Sequence, residues 1–174
     1  MKRQNILILL IIYLFTSSCS FRTSRTAMLD NDTSDEIVDA HFEKILECID
    51  AKDKEGIKLL FSTKALQEAD TLDADIESLF LFYPGDSSDW SDYGWVEGAS
   101  NDHGHVVITM SSLYSIESNG QKYLFRLIEY MKYTDNPEYE GLYSLWVIKE
   151  ENRDIYLKKI DDMKIAGIHV PEGK

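Results

Sequence analysis

HVVITMSSLYSIES (residues 105–118), Asn119-Gly120, and QKYLFRLIEYMKYT (residues 121–134) together decide the fold. Both arms are rich in β-branched and aromatic residues, which suit a pleated, half-buried surface. Asn-Gly between two such arms is the strongest short hairpin signal, because both turn residues accept positive φ. A two-residue loop pairs Ser118 with Gln121 and so fixes each later pair: Glu117 with Lys122, Tyr114 with Phe125, Ser112 with Leu127, Met110 with Glu129. The opposite charges of Glu117 and Lys122 contribute roughly 0.2–1 kcal/mol. One face then carries Val106, Ile108, Met110, Tyr114, Phe125, Leu127 and Met131, and is the expected core face. The other carries Thr109, Ser111, Arg126 and Lys132 among some apolar residues.

Working outward, Asp135-Asn136-Pro137 and Gly141 bracket a turn before a third strand at 142–149. Arg153-Asp154 punctuates the chain before a fourth strand at 155–160, and residues 95–98 begin an earlier one. Connections this short predict an antiparallel meander. Upstream the period changes. Val38, Phe42, Ile45, Leu46 and Ile49 recur at helical spacing over 34–51, with Ser34 and Asp35 as capping residues. Asp53-Lys54-Glu55 caps a second helix carrying Ile57, Leu60 and Phe61, and Ser62 or Thr63 caps a further turn through Ala65 and Leu66. Residues 73–82 form another amphipathic segment, stopped by Pro84-Gly85. Helices first and a curved antiparallel sheet afterwards define an α+β domain.

The chain begins differently. Lys2 and Arg3 precede the unbroken apolar run 6–15, about half of what a bilayer-spanning helix needs. Thr16-Ser17-Ser18-Cys19 resembles a bacterial lipobox, with Thr16 where a leucine is usual. The resemblance implies a signal peptide over 1–18, acylation (palmitate among the chains) of Cys19, and a membrane partner held through the lipid anchor on the extracytoplasmic side. An ordinary secretory signal and an uncleaved anchor are the alternatives. Residues 19–33 are polar and read as a tether, leaving 34–174 as the domain. Cys48 is the only other cysteine, so with Cys19 lipidated it is a lone thiol, expected to be packed as a small hydrophobe.

The charge excludes some partners. With 31 acids against 18 bases, a formal charge of −13 lacks the basic footprint of sequence-independent nucleic-acid binding, and lacks a polybasic hold on anionic lipid. Solubility or a basic partner suits it better.

The segment AKDKEGIKLLFS, residues 51–62, resembles the helix-to-helix signature of the nuclear transport factor-like superfamily. With the lipobox, Gly141-Leu142-Tyr143-Ser144-Leu145 and Ile165-Ala166-Gly167-Ile168, the chain is similar to a family of small bacterial lipoproteins of unknown function. The resemblance implies a cystatin-like α+β cone and names no reaction.

Among candidate sites, Glu129 is the one carboxylate on the apolar hairpin face, where an isolated charge is costly. Tyr114, Tyr123 and Tyr143 are its expected neighbours in a ligand pocket, unless Glu129 reaches solvent or an arginine. Trp90, Tyr93 and Trp95 among Asp86, Asp89 and Asp92 are a candidate interaction loop, or a loop folded over the mouth of the cone. His103 and His105 lack a third ligand at metal spacing and read as loop residues. His41 reads as a solvated helix-flank residue. No phosphate-cradling loop, serine elbow or nucleotide fingerprint is present, so no cofactor is implied. These residues support a lipid-anchored binding or interaction protein, one version being a shield against an incoming protein. The alternative is an isomerase- or dehydratase-like enzyme using Glu129.

Overall fold

The computed structural model describes residues 31–85, 89–154 and 164–171. Among the described residues, the four α-helices named next pack against a five-stranded mixed sheet, an α+β arrangement in which the sheet does not close. The helices are α1 (Asn31–Asp50), α2 (Lys54–Leu60), α3 (Thr63–Glu68) and α4 (Leu72–Phe82). The strands are β1 (Trp90–Asp102), β2 (His105–Ser118), β3 (Gln121–Tyr133), β4 (Gly141–Lys149) and β5 (Gly167–His169), in that spatial order. No helix among the described residues is long and apolar enough to cross a membrane.

The hairpin register holds pair by pair. Ser118 meets Gln121, Glu117 meets Lys122, Tyr114 meets Phe125, Ser112 meets Leu127 and Met110 meets Glu129. Asn119 and Gly120 both take positive φ, 52° and 73°, as a two-residue turn that matches strand twist requires. The register slips only past Thr109, where a bulge leaves Met131 without an opposite residue. Met110, Tyr114, Phe125, Leu127 and Met131 are buried beneath α1, whose Val38, Phe42, Ile45, Leu46 and Ile49 join the same cluster. Phe42 is the centre of it. Its ring stacks on Tyr114 with centroids 3.8 Å apart and meets Trp90 and Phe125 edge-on at 5.5 and 5.7 Å.

The caps form locally. Asp53 Oδ1 accepts from Gly56 N–H at 2.9 Å at the start of α2, and Ser62 Oγ accepts from Ala65 N–H at 3.1 Å at the start of α3. Ser62 N–H also donates to Leu142 O at 2.8 Å, fastening the α2–α3 corner to β4. Cys48 is buried within the cluster, as expected of a small hydrophobe.

Four expectations differ. The first helix begins at Asn31, so Ser34 lies inside it, and Asp35 accepts from the Trp95 indole N–H rather than capping. The sheet is not a pure meander, because β5 lies parallel to β4 through Ser144–Gly167, Leu145–Ile168 and Trp146–His169. Residues 80–95 are not one loop over a mouth: Phe80 to Phe82 end α4, and Trp90 to Trp95 open a 13-residue edge strand with a bulge between Asp92 and Gly94. The expected strand at 155–160 lies outside the described residues.

Candidate functional site

Glu129 is 4% exposed on the helix-facing side of β3. Its Oε1 accepts from Nδ1–H of His41, on α1, at 3.0 Å, while its Oε2 has no hydrogen-bond partner. His41, on the half-exposed flank of α1 as expected, is also the partner of the buried carboxylate, 88 residues away in sequence. Ser112 Oγ, on the same face of β2, is likewise buried without a partner.

The expected tyrosines do not converge on Glu129. Tyr114 donates its hydroxyl to Asp39 Oδ1 at 3.0 Å, and burial, then that bond, push its pKa far above the ordinary value. Tyr123 stands edge-on against Phe82 and Tyr83 at 5.7 and 5.0 Å, opposite Ile116 toward the other end of the hairpin. Tyr143 joins a ring cluster with Tyr130 and Tyr139 and donates to Glu68 Oε2 at 2.6 Å. That bond and Lys64 hold the Glu68 carboxyl below the usual carboxylate range. Phe42, Tyr114, Phe125 and their neighbours fill the space between helices and sheet.

The aromatic trio separates too. Trp90 packs against Phe42 and Tyr114, and Trp95 bonds Asp35, so both belong to the helix side. Tyr93 points to the opposite face by strand alternation, the bulge after it bringing Trp95 back to the helix side, and it donates to Glu150 Oε1 at 3.2 Å with the Arg153 guanidinium 5.6 Å from its ring centre. His103 lies beside Asp102 in the exposed β1–β2 turn, and His105 Nδ1–H, at the exposed start of β2, donates to Asp135 Oδ1 at 2.6 Å. No cluster of three or more ligating side chains occurs among the described residues.

What the sequence did not reveal lies on the opposite face of the sheet. Leu124, Ile128 and Ile148 are buried yet stand outside the helix-side cluster, because successive strand residues point to opposite faces. Beside Leu124 and Ile148 is a cavity of about 320 Å³, lined also by Tyr93 and Val96, Leu113, Arg126, Trp146 and Arg153. Arg126 Nη2–H donates to Ser111 Oγ at 3.3 Å, and burial lowers the guanidinium pKa from its ordinary value. Volume, apolar walls and a few polar groups are the usual marks of a small-molecule site. A second, wider groove of about 910 Å³ runs past Glu68, Asp70, Asp75, Leu81, Ile165 and His169. There His169 stacks on Trp146 at 4.4 Å and donates Nε2–H to Ile165 O at 2.9 Å, and burial pushes its pKa down. Neither cavity is lined by Glu129.

The family described as "Domain of unknown function (DUF5104)" matches residues 44–150, more than half of the chain. No curated protein matches it.

Proposed function

The chain belongs to the DUF5104 family, and we propose that this member is a lipid-anchored, extracytoplasmic binding protein that takes a small, largely apolar molecule. The observation that carries the reading is the cavity beside β1, walled by Leu113, Leu124, Trp146 and Ile148 on the sheet face opposite α1. The anchor is Cys19, supported by the apolar run 6–15 and the small residues before the cysteine. More than one acyl chain gives lasting attachment, since each buried methylene contributes roughly 0.8 kcal/mol. The helix-then-sheet order supports the finer fold reading, a nuclear transport factor-like cone.

The isomerase- or dehydratase-like alternative needs room for substrate beside Glu129, and that ground is held by His41 and the ring cluster around Phe42. It draws no support from the geometry.

Two measurements test the proposal. Titration of the full chain with 2-naphthamide, an uncharged aromatic probe, is expected to show saturable binding that Leu113→Trp abolishes. Binding unchanged in that variant defeats the cavity reading. Separately, wild type should enter the detergent phase on phase separation while Cys19→Ala stays aqueous, and equal partitioning defeats the anchor.

A further inference from the structure

We propose that the free edge of β1 takes an extended, lysine- or arginine-bearing segment of a partner protein as a further strand of the sheet. The proposal stands apart from the cavity reading. β1 is the outermost strand, and among the described residues it pairs with β2 alone, so one side of its backbone keeps N–H and C=O groups without a ladder partner. Such an edge is a template on which another chain can pair. Folds commonly blunt their edges with proline, lysine or a bulge. Here the bulge lies near the start of the strand, between Asp92 and Gly94, and Gly94 to Asp102 run in unbroken register without proline or lysine. All of the strand except Trp90, Trp95 and Glu97 is exposed.

Charge selects the occupant. Asp92, Trp95 and Glu97 share the helix-side face of β1, opposite Tyr114, Ser112 and Met110 of β2. Along that face α1 brings Asp35 to the Trp95 indole and Asp39 to the Tyr114 hydroxyl. Asp92 as well as Asp39 raises the pKa of that hydroxyl by its charge, so helix and strand acids lie close together. Asp35, Asp39 and Asp92 accept from neutral donors only, the last from Gly94 N–H at 2.6 Å, so their charge stands uncompensated. Glu97 has no hydrogen bond or ion pair among the described residues, and residues 35–43 and 89–102 contain no lysine or arginine. A second copy of this chain would set the same acids against one another on a molecule of formal charge −13, which disfavours it. A strand added to β1 turns every second side chain toward α1, and lysine or arginine at those positions meets the four carboxylates. Backbone pairing then supplies affinity, and the alternate cations supply the choice of sequence.

The test follows the fluorescence anisotropy of short labelled peptides, matched in length to Gly94–Asp102, on titration with the full chain in nonionic detergent micelles, with empty micelles as the blank. One peptide alternates lysine with threonine, and a second alternates glutamate with threonine. A third is the lysine peptide with N-methyl groups on two adjacent central residues, which removes an N–H donor from each of its edges. The lysine peptide is expected to bind saturably, about tenfold or more tighter than the glutamate peptide. Methylation is expected to weaken it about fivefold or more, a loss that attraction between charges alone does not produce. Glu97→Lys is expected to weaken the lysine peptide severalfold. Equal affinities for the lysine and glutamate peptides, or no binding of either, overturn the proposal. So does full affinity in the methylated peptide, which reduces the edge to a patch of negative charge, and so does full affinity in a folded Glu97→Lys. Should that variant fail to fold, the three peptides on wild type decide alone. Self-association of the wild-type chain without peptide, measured by sedimentation, makes a second copy the occupant and overturns the choice of partner.

Discussion

His41→Ala and Glu129→Met are expected to act on stability with different sign, and the difference follows from which of the two partners is buried. Glu129 is 4% exposed and His41 is about half exposed, so their contact is a buried acceptor served from the rim. Removing His41 leaves a carboxylate among Met110, Leu127 and α1 with neither oxygen bonded to its present donor. An unsatisfied buried acceptor costs about 1–3 kcal/mol, and because the vacated rim admits water the lower half of that range applies. A methionine side chain is unbranched and of similar length, so in Glu129→Met it fills the same space and removes the buried charge altogether. Replacing a buried ion by a packed apolar group is neutral or stabilising, so Glu129→Met should lie within about 1 kcal/mol of wild type or above it. In the double variant no carboxylate remains to be stranded, and His41→Ala should then cost no more than about 0.5 kcal/mol. Urea unfolding of the four proteins at pH 7, followed by circular dichroism, closes the cycle. A His41→Ala cost that is the same in the wild-type and Glu129→Met backgrounds refutes the coupling and the argument from burial with it.

Gly167→Ala should cost about 1–3 kcal/mol, because φ is +102° there and a Cβ would lie 2.9 Å from that of Ala69; a melting temperature unmoved within a degree contradicts this. In Cys19→Ala, Cys48 is the one thiol, buried and with its pKa raised by desolvation, so iodoacetamide should label it only after urea unfolds the chain. Labelling of the native protein at the unfolded rate contradicts its burial. His169 has its pKa lowered by burial, so the folded state resists the proton that the unfolded state takes up. Its contribution is then complete above the unfolded value near 6.5 and falls as pH drops through that value toward the folded one. His169→Phe should flatten the loss of stability between about pH 7.5 and 5, and an unaltered slope counts against the assignment.

The hairpin was legible because one turn fixes a constant register and because its core face is apolar at most alternate positions, with Ser112 and Glu129 as exceptions. Register failed to carry past Thr109, where the bulge at Met131 depends on the twist of the whole sheet rather than on either arm. The start of strand β1 reads as a loop in the sequence because Asp92, Gly94, Gly98 and Asn101 are residues that strands avoid. As an edge strand exposed over most of its length it can carry them, since little packing selects against them. Strand β5 has three residues and no alternation to read, and its parallel partner is β4, reached only through a crossover. The His41–Glu129 contact could not be read at all: helix period puts His41 off the apolar stripe, and nothing in the spacing says that β3 passes beside that flank. The cavity left one usable trace. Leu124, Ile128 and Ile148 alternate with Phe125, Leu127 and Val147, so both faces of β3 and β4 are apolar, the pattern of strands covered on two sides.

That two-sided pattern also bears on which face can work. On the helix side, Phe42 stacked on Tyr114, Tyr83 against Phe125 and Tyr123, and Trp90 edge-on to both Phe42 and Tyr114 form a continuous set of ring contacts. A ligand entering among these packed rings would have to displace side chains that stabilise the fold. The polar contacts on that side run between elements. Asp35 meets Trp95 of β1, Asp39 meets Tyr114 of β2 and His41 meets Glu129 of β3, so three positions on one stretch of α1 each hold a different strand. Those bonds set the position of the helix across the sheet. With that face given over to holding the fold, the cavity of the proposed binding site lies on the far side of β1 to β4, beside Leu113, Leu124 and Trp146.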